Sequence, residues 1–263
     1  MVEILSLPFM QRALIGGILV GFLASYYGVF VVQRGLSFMG SGLAHAAFGG
    51  IALGLLLESE PLWVAVPFTI IVALAIVWVK DRTELGNDTS VGIFFSVSMA
   101  LGIIFLFLKR EYTVDAFTYL FGSILAVTWK DIGFALLVLM LTVISWPLWK
   151  RWAYASFDRE LAQTDRLPVL KDDYFLAVLV AVTVVVSIKI VGIVLIAAFL
   201  VIPAATAKLI SKTFRQMTIY SVIIGMTSAI IGLWFSYFLD VPSGATIILV
   251  QAVCFFVNII LKR

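Results

Sequence analysis

Residues with chemistry to offer are scarce in this sequence. It has one histidine, His45, and one cysteine, Cys254, in 263 positions. An intrachain disulfide is therefore excluded, and a lone imidazole cannot close a zinc site, which takes about four ligands. Charged side chains make up only 13% of the chain. The net charge of +3 is small and falls mostly in short loops, which argues against a nucleic-acid surface. No Gly-x-x-x-x-Gly-Lys-Ser/Thr phosphate loop occurs, so the chain lacks the usual cradle for ATP.

What fills the space is apolar. Hydrophobic residues account for 63% of the chain and mean hydropathy is +1.14, well beyond soluble domains. Charge-free runs cover residues 13–33, 35–57, 61–79, 89–108, 132–149, 216–239 and 241–261. A helix needs roughly 20 apolar residues to cross hydrocarbon. Every backbone N–H and C=O in lipid must be satisfied within the protein, so helices are the expected solution. The region 173–210 is long for one crossing, and Lys189 interrupts it; a break at residues 187–189 divides it into two short ones. The expected fold is an all-α, polytopic transmembrane bundle of about nine spans, or eight if 187–189 is only a kink. Residues 1–263 form a single membrane domain, with 150–172 as its one sizeable loop. The apolar run after Arg12 exceeds a signal-peptide core and reads as a retained first span. Residues 117–128 are apolar but too short to cross, and read as re-entrant or interfacial.

Basic residues set the expected orientation. With the N-terminus outside, the cytoplasmic side collects Arg34, Lys80, Arg82, Lys150, Arg151, Arg159, Arg166, Lys171, Lys208, Lys212, Arg215, Lys262 and Arg263. The outer side keeps Arg12, Lys109, Arg110, Lys130 and Lys189. The C-terminus is then cytoplasmic, and so is the hydrophilic stretch 150–173. Within it, Ser156 can cap a helix whose first turn carries Asp158 and Glu160, with Pro168 beyond its end. Phe157 and Leu161, four apart, would share a face. Spacing alone leaves two readings open, a solvated surface helix or a docking helix for a soluble partner.

The run 35–57 is unusual for its small residues, among them Gly40, Gly42, Ala44, Ala46, Gly49, Gly50 and Gly54. Small residues let helices approach closely in membranes, which makes Gly42 and Gly49 candidate packing or pathway positions. Ser41, His45 and Gly49 recur at helical spacing on one face. An intramembrane histidine is a functional candidate, although it could also bridge two helices through a hydrogen bond. Paired intramembrane carboxylates are missing, as is a nucleophile beside a base, which argues against an intramembrane enzyme.

The residues Arg34-Gly35-Leu36-Ser37-Phe38-Met39-Gly40-Ser41-Gly42-Leu43-Ala44-His45-Ala46 resemble the second-helix signature of the zinc/manganese-type permeases of ABC importers. So do Asp88-Thr89-Ser90-Val91-Gly92, Tyr119-Leu120-Phe121-Gly122-Ser123, Phe157-Asp158-Arg159-Glu160-Leu161-Ala162, Lys189 through Ala207, and Asp240-Val241-Pro242-Ser243-Gly244, in family order along the whole chain. The resemblance implies a type II importer-like permease in the cell membrane. It would pair with a second permease subunit in a homodimer, bind ABC ATPase subunits, and receive a divalent metal from an extracytoplasmic binding protein. It implies no resident cofactor, and lipid but not nucleic acid as surroundings. His45 and Ser41 become the metal candidates. Phe157, Asp158, Arg159, Glu160 and Leu161 become the ATPase-coupling segment. The family has Asp where this chain has Ser41, and a Gly after the coupling helix where this chain reads Thr164-Asp165-Arg166-Leu167-Pro168. Histidine without a carboxylate favours zinc, with manganese or iron next. Two alternatives remain: the same importer fold with another cargo, and a secondary carrier using His45 as a proton relay.

Overall fold

Proline and glycine punctuate the chain into helices. A computed structural model describes residues 7–109 and 127–261. Helix α1 spans Pro8–Gln33, with Pro8 at its first position, where no amide bond is lost. It ends in a Schellman turn: Gly35 has φ +66, its N–H donates to the Val32 carbonyl, and that of Leu36 to Val31. Then come α2 (Met39–Leu56), α3 (Pro61–Arg82), α4 (Asn87–Lys109) and α5 (Trp129–Ile144). Pro147 forces a 3-10 turn over Trp146–Leu148, and the chain bends 48° into α6 (Trp149–Phe157). A short α7 (Arg159–Thr164) precedes α8 (Val169–Val191), α9 (Ile193–Ile210), α10 (Phe214–Leu239) and α11 (Ser243–Leu261).

Seven of these helices are long and apolar enough to cross a membrane, and the bent α5–α6 pair raises the number to eight. The expected count of nine is not reached among the described residues: the apolar helix Leu195–Ile210 within α9 is shorter than these spans. The division of 173–210 falls at Gly192 rather than at residues 187–189. Helix α8 runs through Lys189 because its ammonium lies 2.8 Å from Asp131 and so gives no reason to break. Gly192 combines φ 92 with ψ 158, a conformation essentially reserved for glycine. The chain reverses there. A Cβ on Gly16 would touch Ile190 of α8, whereas Gly28, three turns further along α1, abuts Leu200 of α9.

The centre of the bundle is built from α1, α2, α8 and α9. The first two are buried along most of their length, whereas α4 and α11 are largely exposed. Close backbone contact makes this possible: a Cβ on Gly28 would lie 1.9 Å from the Leu200 carbonyl oxygen, and one on Gly21 2.8 Å from that of Gly225. Ser221 donates to the Ser25 carbonyl at 2.8 Å, and the Tyr27 and Thr142 hydroxyls pair at 2.8 Å. These bonds tie α10 and α5 to the same central helix. The motif residues Tyr119 to Ser123, and the apolar stretch 117–126, lie outside the described residues.

Candidate functional site

His45 sits on the second turn of α2, about 9 Å along the axis from its start. Its Nδ1 is 2.9 Å from the backbone carbonyl oxygen of Ser41. A carbonyl can only accept, so Nδ1 carries a proton, and in the neutral ring Nε2 then presents its lone pair. A backbone carbonyl bonded to one ring nitrogen fixes the imidazole's orientation, as it commonly does in metal-binding histidines. The imidazole packs on the ring of Phe95, centroids 4.6 Å apart, and Phe95 in turn approaches Phe38 at 5.9 Å. His45 and Ser41 are only half-buried, while Gly42, Leu43 and Ala44 between them are buried. The Ser41–His45 edge therefore lies on the outer side of α2. It borders α4, whose Ile93, Val97, Ile104 and Phe107 are exposed. Among the described residues no group of three or more His, Cys, Asp or Glu could hold a metal ion. The chain thus offers a single imidazole at this edge.

Gly42 and Gly49 face α4. A Cβ on Gly42 would lie 2.3 Å from Val91 Cγ1, and one on Gly49 2.7 Å from the Ser98 carbonyl oxygen. They hold α2 against α4, and α4 supplies the Phe95 ring beneath the imidazole. Phe95 was missed in the sequence because its spacing on α4 gives no hint of His45.

The proposed coupling segment divides into two helices. Ser156 is not the cap: it lies inside α6, where its hydroxyl donates to the Trp152 carbonyl at 2.6 Å. Asp158 is extended (φ −143, ψ 100) and its carboxylate accepts the Leu161 N–H at 2.8 Å. Phe157 therefore ends one helix and Leu161 lies in the next, so the shared face expected for one continuous helix does not form. Phe157, Glu160 and Leu161 are exposed, with Phe157 resting edge-on against Phe214 at 5.5 Å. Arg159 points the other way, to Asp173 and Asp81. Arg166, after α7, has φ 58 and closes a Schellman turn, its N–H donating to Gln163 and that of Leu167 to Ala162. Of the remaining acidic residues, Asp240 is a left-handed C-cap of α10 and Asp88 lies in the first turn of α4. Glu111 and Asp115 fall outside the described residues.

The fold is thus that of an all-helical, multi-pass membrane protein with one imidazole on an outer edge. The chain belongs to the ABC 3 transport family, which it matches over residues 6–262. It is 37% identical over 253 residues to the manganese transport system membrane protein MntC of Listeria innocua, covering 95% of this chain and 89% of that one. It is 34% identical over 250 residues to the high-affinity zinc uptake system membrane protein ZnuB of Haemophilus influenzae, covering 94% and 95%. Among solved structures it superimposes on PsaBC from Streptococcus pneumoniae in complex with Fab, with TM-score 0.86 and 34% identity, covering 98% of this chain and 93% of that one.

Proposed function

We propose that this chain is the permease subunit of an ATP-driven importer for a divalent transition-metal ion. Family membership supports the transport role, and the observation that carries the metal is His45, with Nδ1 bound to the Ser41 carbonyl and Nε2 left without a partner among the described residues. The protein works without resident cofactor; the ion is cargo. Zinc is the first choice, because an imidazole beside a hydroxyl suits a borderline cation better than a hard one. Manganese is the second reading, favoured by relatives named for manganese systems.

In this reading the whole chain is one membrane domain of nine crossings in the plasma membrane, with α9 the short one. The N-terminus lies outside, and the Arg34–Asp173 end of the bundle is cytoplasmic, carrying most of the basic residues. Two copies pair across the outer edge of α2 and α4, so that two His45 side chains and water share the passing ion. An extracytoplasmic binding protein delivers the metal, and ATPase subunits dock on Phe157, Glu160 and Leu161. The test is reconstitution of the chain with its ATPase in vesicles, with ATP-dependent uptake of labelled zinc and manganese compared. Uptake of neither ion in an assembly that hydrolyses ATP would reject the metal cargo. Ion flux without ATPase, driven by a proton gradient, would favour a secondary carrier instead.

A further inference from the structure

One carboxylate joins the short helix after α6 to the turn that leads into the histidine-bearing helix. Asp173, just past the first turn of α8, is 8% exposed, and its two oxygens bind different guanidinium groups. Oδ1 accepts from Arg34, the last residue before the Gly35 turn into α2, and Oδ2 accepts from Arg159, the first residue of α7. Arg34 is itself a junction. Its Nε donates to Ser156 of α6 at 2.8 Å, and its carbonyl accepts from the Asn87 side chain, at the start of α4, at 3.2 Å. The turn that leads from α1 into α2, which carries His45, and the start of α4, which carries Phe95, thus meet at Arg34.

The cluster has room to rearrange. A cavity of about 40 Å³ adjoins it, lined by Arg34, Lys80 and Asp173 among apolar side chains. That volume is enough for about one water. The Nη2 of Arg34 is buried without a partner. Burial pulls the Arg34 guanidinium below its ordinary pKa, and the facing Asp173 carboxylate opposes the shift. The second arm is wetter: Arg159 is 37% exposed on its side chain, and its Nη2 lies 3.8 Å from Asp81 at the end of α3. An inner pair is therefore held tightly, and an outer one can be pulled from the surface.

We propose that Asp173 is a positioning residue that transmits the displacement of α7 through Arg159 to Arg34, and so sets where α2 presents His45. Phe157, Glu160 and Leu161 face outward for a partner, while Arg159, in the same short stretch, reaches inward to the carboxylate. A push on α7 changes how Asp173 is shared between two cations, and the Arg34 end of α2 and α4 responds. This rests on the transport reading above.

The test uses the assembled transporter in vesicles and reads ions moved per ATP hydrolysed, beside thermal stability and retention of the ATPase. Arg159→Gln removes the outer arm and leaves the Arg34–Asp173 pair intact, and Asp173→Asn weakens both arms. Each should retain the ATPase and hydrolyse ATP, yet move about fivefold or more fewer ions per ATP, the usual scale of coupling between sites. Asp173→Glu, which keeps a two-oxygen acceptor, should recover most of that ratio. A wild-type ratio in Arg159→Gln, or equal loss of uptake and hydrolysis in proportion to folded protein, would overturn the proposal. Should Asp173→Asn fail to fold, Arg159→Gln decides alone. Absence of ATP-driven uptake in the unmodified chain would reject the transport reading instead, so the two failures are distinguishable.

Discussion

The Lys189 ammonium lies 2.8 Å from Oδ1 of Asp131, and Oδ2 of the same carboxylate accepts from the N–H and hydroxyl of Thr128 in a capping box. This pins the end of α8 to the start of α5. Lys189→Ala leaves a carboxylate that is 4% exposed with only its Thr128 bonds. Because the lysine is itself 35% exposed on its side chain, the cost should be modest, on the order of 1–2 kcal/mol. Thermal unfolding in detergent should show Lys189→Met with Asp131→Leu closer to wild type than either single change.

At the imidazole, His45→Ala should abolish or sharply reduce metal uptake with no loss of folded protein. Ser41→Asp adds a carboxylate one turn away and should tighten binding in the pathway, slowing release for the same reason. Uptake by His45→Ala equal to wild type would reduce the residue to packing against Phe95.

The glycines on α2 should differ in severity. Gly42→Ala meets a valine methyl, which can shift somewhat although its χ1 is stiff, whereas Gly49→Ala meets a backbone carbonyl, which cannot. Overpacking costs about 1–3 kcal/mol, with Gly49→Ala at the upper end. Gly49→Leu should impair folding or transport more than Gly42→Leu, measured as folded yield and uptake. The reverse order would mean that α4 gives way as a whole.

Phe157→Ala removes an aromatic that stands 63% exposed at the loop surface. An anchor of this kind is worth roughly 2 kcal/mol or more, so ATPase retention should weaken about thirtyfold while thermal stability changes little. Glu160→Lys should lower ATPase stimulation in the same assay. Wild-type retention in both would make the segment an ordinary solvated loop.

Arg166→Gly should stabilise the loop after α7. A left-handed residue with a Cβ costs about 1–2 kcal/mol, and glycine's extra chain entropy takes back roughly 0.5–1. A net gain of up to about 1.5 kcal/mol is expected, seen as a higher unfolding temperature. Loss of stability would mean that the Arg166 side chain contributes more than its backbone costs.

Helix content and most boundaries were legible because lipid length and charge act locally along the chain. The reversal was misplaced by a few residues for a physical reason: Lys189 looks like an interruption in isolation, and only its pairing with Asp131 makes it compatible with a helix. The left-handed turn at Arg166 could be anticipated from the glycine expected near that position. Asp173 could not, because its partners Arg34 and Arg159 come from distant parts of the sequence and no periodicity links them. The split between Phe157 and Leu161 was hidden for a related reason, since Asp158 can serve either as a first-turn acid or as the cap of a new helix.

The meeting of Gly28 with Leu200 also bears on biogenesis. The first helix leaves the ribosome long before the ninth exists, and at ordinary synthesis rates the gap is on the order of 10–30 s. Through that interval the glycine face of α1 is bare of its final neighbour and must be lined by lipid or by the insertion machinery. Because that face has so little side chain, lipid tails fill it poorly, and α9 can displace them on arrival. The ninth helix thus comes late and closes a groove that was waiting for it.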